Sequence, residues 1–421
     1  NSFVTANAST LATNGTTYAI GPYNNATNSW TNLTSADLES EIFFSIGMGF
    51  QMASESGGTG ILKFTGNPAS TTQTQAIINN DAANSGTGTR WNLVANPFPS
   101  YIHANASADS SHNFLTVNSD KLGDSYEAIY GYDADGSGYT VYNNTSAALN
   151  LAPGQAFMIA SDNTSTDNIS FTTDMRTMAG GDDLILGRTM QDSYGLILSI
   201  YKGDTEIDQT KFYFKEGLTL GLDPGYDAGH FNQLAALTSR LVEEDEGVGF
   251  AINSMGLESI DDVVIPLEVN RESGNGFRIS IHTNDIYEGT NIYLEDNEQG
   301  TVTLLNEQDF ELTPQDNLSG AGRFFIHLTN TSLSIEDDIE THLLNVYKAD
   351  INNFITIEGT ANQSNQINLR IYNILGKEVV SKTLENNINT QTISTQGLAT
   401  GIYVIKLKSG NTVLTKKLII N

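Results

Sequence analysis

Apolar and polar side chains alternate in short runs along this chain, and clusters of turn-forming residues separate the runs. Between residues 195 and 328 the clearest runs are Gly195–Tyr201, Lys211–Phe214, Phe277–Ile281, Ile292–Leu294 and Arg323–Leu328. Alternation with a period of two places every second side chain on one face, which predicts half-buried β-strands. The chain is therefore predicted to be all-β, with tandem β-sandwich domains of the jelly-roll or immunoglobulin-like kind.

One segment has a different spacing. Phe231, Leu234, Leu237 and Leu241 recur at intervals of three or four residues, which predicts a short helix over residues 231–242. Packing of this apolar stripe against the core explains the spacing better than a binding role does.

Two segments in the first 175 residues repeat each other. Gly47, Phe50, Ala53, Ser54, Phe64 and Thr65 recur with the same spacing as Gly154, Phe157, Ala160, Ser161, Phe171 and Thr172. Two aromatic residues seven positions apart precede each copy, Tyr23 with Trp30 and Tyr132 with Tyr139. Because each aromatic pair flanks residues typical of turns, each copy is predicted to be a hairpin followed by two strands.

The second copy has an opening strand that the first copy lacks. This strand lies within Trp91–Ser100, whereas only 22 residues precede Tyr23. We therefore expect Asn1 to lie inside a longer protein. Gly47 and Gly154 occupy the same position in the two copies, where we expect them to serve the backbone geometry of a turn or bulge.

The charge changes sharply along the chain. Residues 1–340 carry 12 basic and 45 acidic side chains, whereas residues 341–421 carry 8 basic and 4 acidic ones. Such a step indicates a domain boundary. We predict a repeat-containing β-sandwich at residues 1–180, a second β-sandwich at 181–335, a linker at 336–341 and a separate domain at 342–421.

Composition narrows the possible partners. The formal net charge of the 421 residues is −29, so the surface repels phosphate backbones, and we expect no nucleic acid partner. Cysteine is absent, which excludes disulfides and thiolate metal sites. The longest apolar runs are much shorter than the roughly 20 residues of a membrane-spanning helix, so no such segment is expected.

Motifs for catalysis are also missing from the sequence. Its six histidines have no metal-ligand spacing, and neither a nucleophile elbow nor a phosphate-binding glycine loop occurs. A pair of carboxylates for glycoside hydrolysis is an alternative that stays open, because the two residues of such a pair can be far apart in the sequence and meet only in the folded protein. We expect no catalytic or cofactor-binding residues, and we expect that the chain is not an enzyme.

One turn resembles the beginning of a calcium-binding loop. Asp133, Asp135 and Ser137 supply oxygen atoms at alternate positions, and a glycine follows at the sixth. The twelfth position is Asn144, which carries no carboxylate, so a plain hairpin is the alternative to a calcium site. A second acidic loop, Asp223–Asp227, leaves the same two alternatives open. Apart from calcium, we expect no cofactor.

The last 80 residues form another series of short strands. They are predicted at Phe354–Ile357, Ile367–Ile371, Val379–Thr383, Ile402–Leu407 and Val413–Ile420. Turns at Leu375–Lys377 and Ser409–Asn411 join neighbouring strands, as hairpins require. This part of the chain is predicted to be a small immunoglobulin-like sandwich in which Val413–Ile420 is an end strand.

Three blocks of the tail carry a family resemblance. Leu369–Val380, Leu398–Leu407 and Thr415–Asn421 resemble, in order, the type A C-terminal sorting domain of Bacteroidetes type IX secretion substrates. The family usually opens with Tyr-Pro-Asn-Pro, whereas this chain has Tyr347-Lys348-Ala349-Asp350. The resemblance implies export through the periplasm to the cell surface or the medium. It also implies recognition of residues 342–421 by the outer-membrane translocon and its shuttle protein.

The same resemblance indicates which residues carry the sorting signal. We expect them to be Gly376, Gly401, Tyr403, Lys416, Lys417, Leu418, Ile419 and Ile420. The ligand of the preceding part, the passenger, is unknown. An adhesive or binding surface protein is the first hypothesis, because repeated sandwiches present loops on a rigid scaffold. The alternative is the non-catalytic C-terminal part of a larger secreted hydrolase.

We predict that calcium at the turn around Asp133 contributes little to stability. Millimolar calcium should raise the melting temperature by less than about three degrees, because the loop lacks a carboxylate at its twelfth position. Differential scanning calorimetry of the chain and of its Asp135→Ala variant checks this. A larger rise that Asp135→Ala abolishes would establish a calcium site.

Overall fold

A computed structural model describes most of the chain. The described residues are 2–7, 9–38, 45–55, 62–81, 88–132, 138–178, 194–232, 234–287, 289–330, 345–348, 354–360, 366–373, 378–385, 388, 390–398, 401–409 and 412–420. The chain divides into two compact units. One unit contains residues 1–260, 264–288 and 307–321, and the other contains 261–263, 289–306 and 322–421.

Short strands dominate the first part of the chain. The helices are α1 Ser2–Asn7, α2 Ser35–Leu38 and α3 Phe114–Asn118. The strands are β1 Thr13–Asn14, β2 Thr17–Tyr18, β3 Ile20–Gly21, β4 Tyr23–Asn24, β5 Ser29–Trp30, β6 Gln51–Met52, β7 Gln73–Ile77, β8 Trp91–Ala95, β9 Tyr101–His103, β10 Ile129–Tyr132, β11 Tyr139–Tyr142, β12 Asn150–Leu151, β13 Ala156–Ala160, β14 Asp167–Phe171 and β15 Arg176–Thr177.

Most of the strands that follow are longer, and each of the five runs predicted between residues 195 and 328 falls within one of them. They are β16 Tyr194–Lys202, β17 Thr205–Phe214, β18 Ala228–Gly229, β19 Leu237–Ser239, β20 Phe250–Met255, β21 Asp262–Val269, β22 Phe277–Asn284, β23 Asn291–Asp296, β24 Thr301–Leu304, β25 Phe310–Leu312 and β26 Ala321–Thr329. In the first unit the strand order is β21-β19-β20-β17-β16-β22-β25, and in the second unit it is β24-β23-β26. The all-β prediction is confirmed.

The two predicted hairpins are present. Tyr23 pairs with Trp30 across β4 and β5, and Tyr132 pairs with Tyr139 across β10 and β11. In the first copy β3, the strand just before the hairpin, pairs with β6, and in the second copy the hairpin strand β10 pairs with β13. Gly47 has a φ of 84° and Gly154 a φ of 71°, so both have the left-handed backbone that favours glycine.

A single strand borders both copies of the repeat. Val94 in β8 pairs with Phe157 in β13 on one side and forms a bridge to Met48 on the other. The two copies differ in their last predicted strand. In the second copy, β14 pairs with β7 along its full length, whereas residues 62–65 of the first copy are not a strand.

The repeat includes a helix that the sequence comparison did not detect. The Asn118 side-chain amide donates hydrogen bonds to the carbonyls of Phe114 (2.9 Å) and Ser170 (3.0 Å), and its oxygen accepts one from the Ser170 N–H (2.7 Å). Asn7 makes the same three bonds, to Phe3 (2.9 Å) and to Lys63 (2.9 and 2.7 Å). Each asparagine thus ties a short helix to the segment that ends its copy.

Aromatic packing accompanies each of these asparagines. The ring centroids of Phe114 and Phe171 lie 5.2 Å apart, and those of Phe3 and Phe64 lie 5.0 Å apart with nearly the same tilt. Because Asn118 is only 2% exposed, its amide is desolvated, and the three hydrogen bonds compensate for that loss. We call this arrangement the asparagine clamp of each copy.

The predicted helix over residues 231–242 is wrong. Residues 237–239 form β19, and Leu234 is 81% exposed instead of packing on the core. The carboxylate of Asp208 accepts hydrogen bonds from the N–H groups of Ala236 (2.7 Å) and Leu237 (3.3 Å). These N–H groups therefore pair with a tertiary partner instead of a helical carbonyl, and the tertiary contact overrides the local spacing.

The expected boundary near residue 180 lies inside the first compact unit. One buried cluster combines side chains from both sides of that position: Trp91, Tyr126, Ala128, Tyr130, Val141, Met158, Ala160, Tyr213, Ala228, Ala251 and Ile252. The Tyr130 hydroxyl also donates a hydrogen bond to the carbonyl of Gly229 (2.8 Å). Residues on the two sides of position 180 therefore share one core. The linker expected at 336–341 lies outside the described residues.

The tail is a two-sheet sandwich, as predicted. Its strands are β27 Asn345–Lys348, β28 Phe354–Glu358, β29 Ile367–Asn373, β30 Glu378–Leu384, β31 Thr390–Ser394, β32 Gly401–Ser409 and β33 Thr412–Ile420. One sheet has the order β27-β28-β31 and the other β30-β29-β32-β33. Side chains such as Ile355 and Ile357 from the first sheet and Leu369 and Ile405 from the second form its core. The sequence analysis did not predict β27 and β31.

We predict that the asparagine clamp stabilises the passenger. Asn118→Ala should lower the free energy of unfolding by about 2–3 kcal/mol, because it leaves buried backbone groups without partners. Asn7→Ala should give a comparable loss, since Asn7 makes the same bonds. Urea denaturation followed by circular dichroism measures both.

Asn168→Ala is the matched control, because Asn168 lies on β14 next to Ile169 but is exposed. Its effect should stay within about 0.5 kcal/mol. Equal effects of Asn118→Ala and Asn168→Ala would contradict the clamp.

Candidate functional site

Two surfaces of the chain have the chemistry of recognition, and the first is the edge of the tail sandwich. The strand β33 is the last strand of its sheet, as predicted, and pairs with β32 from Gly401↔Ile420 to Ser409↔Thr412. An edge strand presents backbone N–H and C=O groups on its outer side, to which another chain can pair.

The side chains of β33 follow the period of a strand. Leu414, Leu418 and Ile420 face the core of the sandwich, where Tyr403 lies opposite Leu418. Lys416 belongs to the same face, opposite the buried Ile405, and is half-buried. A charged side chain on the inner face of an edge strand discourages continuous, unspecific pairing.

The structure brings most of the expected sorting residues together. Gly401 and Tyr403 lie on β32, opposite Ile420 and Leu418 of β33. Lys417 and Ile419 lie on β33 by their backbone positions. Gly376 lies outside the described residues.

The expected calcium site cannot be placed, because Asp133, Asp135 and Ser137 lie outside the described residues. Within the described ranges, no group of three or more histidine, aspartate or glutamate side chains is arranged to hold a metal ion.

The second acidic loop uses its carboxylates inside the fold. The Asp227 carboxylate accepts hydrogen bonds from the N–H groups of Ser254 (2.6 Å) and Asp223 (2.7 Å). The Asp223 carboxylate accepts one from the Thr219 N–H (2.7 Å). Burial raises the pKa of Asp227 to about 7, although its two N–H partners act in the opposite direction. Hydrogen bonds to backbone N–H groups therefore account for the presence of both aspartates in this loop.

The second recognition surface consists of aromatic side chains from the two hairpins of the repeat. We call Tyr23, Trp30, Tyr132, Tyr139 and Phe231 the aromatic surface. Trp30 is 39% exposed and Tyr132 is 61% exposed, while the other three are half-buried. Large aromatic groups exposed in this way are typical of binding surfaces.

Strand register explains why these rings come together. Tyr23 and Trp30 are cross-strand partners, and so are Tyr132 and Tyr139, so each pair stands on one face of its hairpin. The ring centroids are 5.2 Å apart in the first pair and 5.4 Å apart in the second. Phe231 stacks on Tyr139 with centroids 3.9 Å apart.

Tyr23 from the first hairpin and Tyr139 from the second pack against the same buried cluster. Burial raises the pKa of Tyr139 to about 12, and the nearby Tyr132 and Tyr23 hydroxyls add to this effect. The Tyr23 hydroxyl lies 2.8 Å from both Asn28 Oδ1 and Thr89 Oγ1. Tyr23 and Tyr139 are therefore held in place before any ligand arrives.

A small pocket lies next to the aromatic surface. It has a volume of about 50 Å³ and is lined by Asp81, Thr89, Arg90, Trp91, Tyr126, His230 and Phe231. The Trp91 ring is 4.4 Å from Phe231, and the Arg90 guanidinium lies 4.6 Å from the centre of the Tyr126 ring. The pocket thus combines aromatic walls with polar groups.

The charged groups of this pocket are paired. Arg90 donates hydrogen bonds to the Asp81 carboxylate at 2.6 and 3.1 Å. His230 Nε2 lies 3.2 Å from the Asp208 carboxylate. The pocket therefore contains little net charge.

Sequence reasoning identified four of the five aromatic residues only as markers of hairpins. It assigned Phe231 to a helix and Trp91 to an opening strand. The sequence did contain a signal for the aromatic surface. A pair of aromatic residues recurs at the same place in both copies, and a hairpin alone does not require such a pair.

Comparison with known families divides the chain in two. Residues 1–328 match the family described as Domain of unknown function (DUF8693). Residues 345–421 match the Secretion system C-terminal sorting domain, which confirms the resemblance of the tail. No curated protein gives a match. Among the described residues, no helix is both long and apolar enough to cross a membrane.

Two solved structures share partial similarity with the chain. One is a DUF3244 family protein with an immunoglobulin-like β-sandwich fold from Bacteroides vulgatus; it is 16% identical, and the match covers 19% of this chain and 84% of that one with a TM-score of 0.17. The other is an FMN-binding β-glucuronidase from Facaelibacterium prausnitzii; it is 10% identical, and the match covers 55% of this chain and 40% of that one with a TM-score of 0.14.

The sorting domain makes the chain a type IX secretion substrate of type A, which interacts with the secretion machinery and is exported to the cell surface or the extracellular space. The match over residues 1–328 covers most of the 421 residues, and the chain belongs to the family described as Domain of unknown function (DUF8693).

Proposed function

We propose that the passenger is a binding or adhesive protein without catalytic activity, and that the aromatic surface binds its ligand. The observation that carries the proposal is the exposure of Trp30 and Tyr132 beside three half-buried rings. Exposing such rings to water is unfavourable, so their clustering at one place supports an interaction there.

Rigidity of the aromatic surface also supports this role. Tyr139 and Phe231 pack on a cluster that includes Trp91 and the fully buried Tyr130. A binding surface that is ordered in advance loses less conformational entropy when the ligand binds.

The pairing of the pocket's charged groups favours binding over catalysis. A general acid or base needs a side chain that can exchange a proton with the substrate. Arg90 and Asp81 are engaged with each other, and both ring nitrogens of His230 are engaged, Nε2 with Asp208 and Nδ1 with the Asn232 backbone. These pairs can orient a ligand by hydrogen bonds while they remain intact.

For the tail, we infer that the outer-membrane translocon or its shuttle protein recognises the edge strand β33. Edge strands accept a further strand through main-chain hydrogen bonds, and neighbouring side chains add specificity. The inner-face Lys416 and the apolar Leu418 and Ile420 support this assignment, since they distinguish the strand from an unspecific edge.

We predict that removal of Leu418–Asn421 blocks export of the full chain. The deletion removes part of β33 that pairs with Gly401–Tyr403, so the recognised edge is lost. The chain is expressed behind a signal peptide in a host with type IX secretion, and its amount in periplasm, surface and medium is measured by fractionation and immunoblotting.

Deletion of Glu336–Ile339 is the control of equal length and should leave export intact. The truncated tail must also remain resistant to limited proteolysis, so that loss of export reports recognition and not unfolding. Normal export of the truncated chain would contradict the role of β33.

We predict that the aromatic surface mediates attachment. Beads coated with the full chain should attach to at least one of four layers: mucin, collagen, fibronectin or cellulose. The double variant Trp30→Ala, Tyr132→Ala should lose at least about 80% of that attachment, because the two most exposed rings of the surface are removed. Bead counts under constant flow measure the effect.

Tyr287→Ala is the matched control, because Tyr287 is 39% exposed and lies after β22, outside the aromatic surface. Attachment that survives the double variant, or no attachment to any layer, would contradict the proposed role.

A further inference from the structure

We infer that the ligand of the aromatic surface is a neutral saccharide chain, an inference that rests on the proposed binding role. Sugar rings have one face of C–H groups and a rim of hydroxyl groups. An aromatic face carries negative charge density and attracts C–H groups that lie against it. The exposed Tyr132 and Trp30 offer such faces, and the half-buried rings beside them extend the apolar area.

The adjoining pocket fits a single polar group of such a chain. Its volume of about 50 Å³ is several times the roughly 10–15 Å³ that a cavity needs to hold one water, so a polar group larger than a water can enter it. A hydroxymethyl group has the right size and both donates and accepts hydrogen bonds. Asp81 and Thr89 supply acceptors at this pocket, and Arg90 and His230 supply ring or guanidinium nitrogens.

The polar lining also argues against an apolar peptide as the occupant. An apolar side chain in the pocket would cover Asp81, Arg90 and Thr89 without giving them new hydrogen bonds. Covering polar groups without compensation is unfavourable. A hydroxyl-bearing ligand avoids this cost.

Charge determines which saccharides fit. Residues 1–340 carry 45 acidic and only 12 basic side chains, so the passenger repels polyanions. At the pocket itself Arg90 is neutralised by Asp81, at 2.6 Å. The excess of acidic side chains and the pairing of Arg90 both disfavour sulfated or uronic acid chains, which leaves neutral saccharides.

The tryptophans make a direct test possible. The chain contains two, Trp30 in the aromatic surface and Trp91 in the pocket wall, so its tryptophan fluorescence reports only on this region. The full chain is titrated with cellohexaose, mannohexaose and chitohexaose, and with a heparin hexasaccharide as the polyanionic probe. At least one neutral probe should give a saturable change, and heparin should give none.

Variants at one position separate stacking from other effects. Tyr132→Ala should weaken binding of that probe about fivefold or more, because a stacking face is lost. Tyr132→Phe keeps the ring and should bind within about twofold of the unchanged chain, and Tyr287→Ala should do the same. Melting temperatures of all three variants confirm that they fold.

Each of the other outcomes contradicts one specific part of the inference. Aromatic-dependent bead attachment without any fluorescence change from neutral probes would leave the binding role intact and overturn the saccharide. Tighter binding of heparin than of the neutral probes would overturn the charge argument, and equal loss in Tyr132→Ala and Tyr132→Phe would overturn stacking. Absence of bead attachment would overturn the binding role itself.

Discussion

Packing around the Trp91 ring connects the repeat to the strands beyond residue 180. This ring contacts Tyr126 and Tyr130 from the second copy of the repeat and Phe231 from beyond residue 180, with centroids between 4.4 and 5.6 Å. The same ring forms a wall of the pocket and supports Phe231, on which Tyr139 stacks. Stability and the candidate ligand surface therefore have one common base, and a substitution at Trp91 would damage both.

Local patterns in the sequence predict most strands because half-buried strands have a simple period. The runs at Gly195–Tyr201 and Arg323–Leu328 lie within β16 and β26, and the five strands predicted for the tail are all found. The period of two arises because one face of each strand is buried. It can therefore be recognised in the sequence without knowing which strand lies alongside. Where a strand is short and polar, as in β31, that signal is absent and the prediction missed it.

Local sequence patterns do not predict contacts between residues that are far apart in the sequence. The spacing from Phe231 to Leu241 favours a helix, yet Asp208 binds the backbone of Ala236 and Leu237 and leaves residues 237–239 to a strand. The asparagine clamps escaped notice for a related reason. Phe3 and Phe114 are 111 positions apart, whereas Phe64 and Phe171 are 107 apart, so a comparison at one fixed offset misses the helix. The placement of the expected sorting residues on β32 and β33 was predictable because their motifs are contiguous.

Duplication of the hairpin has a consequence for the strength of attachment. The pairs Tyr23 with Trp30 and Tyr132 with Tyr139 belong to one compact unit, so their separation is set by the fold and not by a flexible linker. A polymer with a repeating unit that contacts one pair holds its next units at high effective concentration near the other. In the proposed binding role, two individually weak contacts then produce avidity, and dissociation requires both to open together. A protein exposed to flow at a cell surface gains residence time in this way without needing a deep pocket.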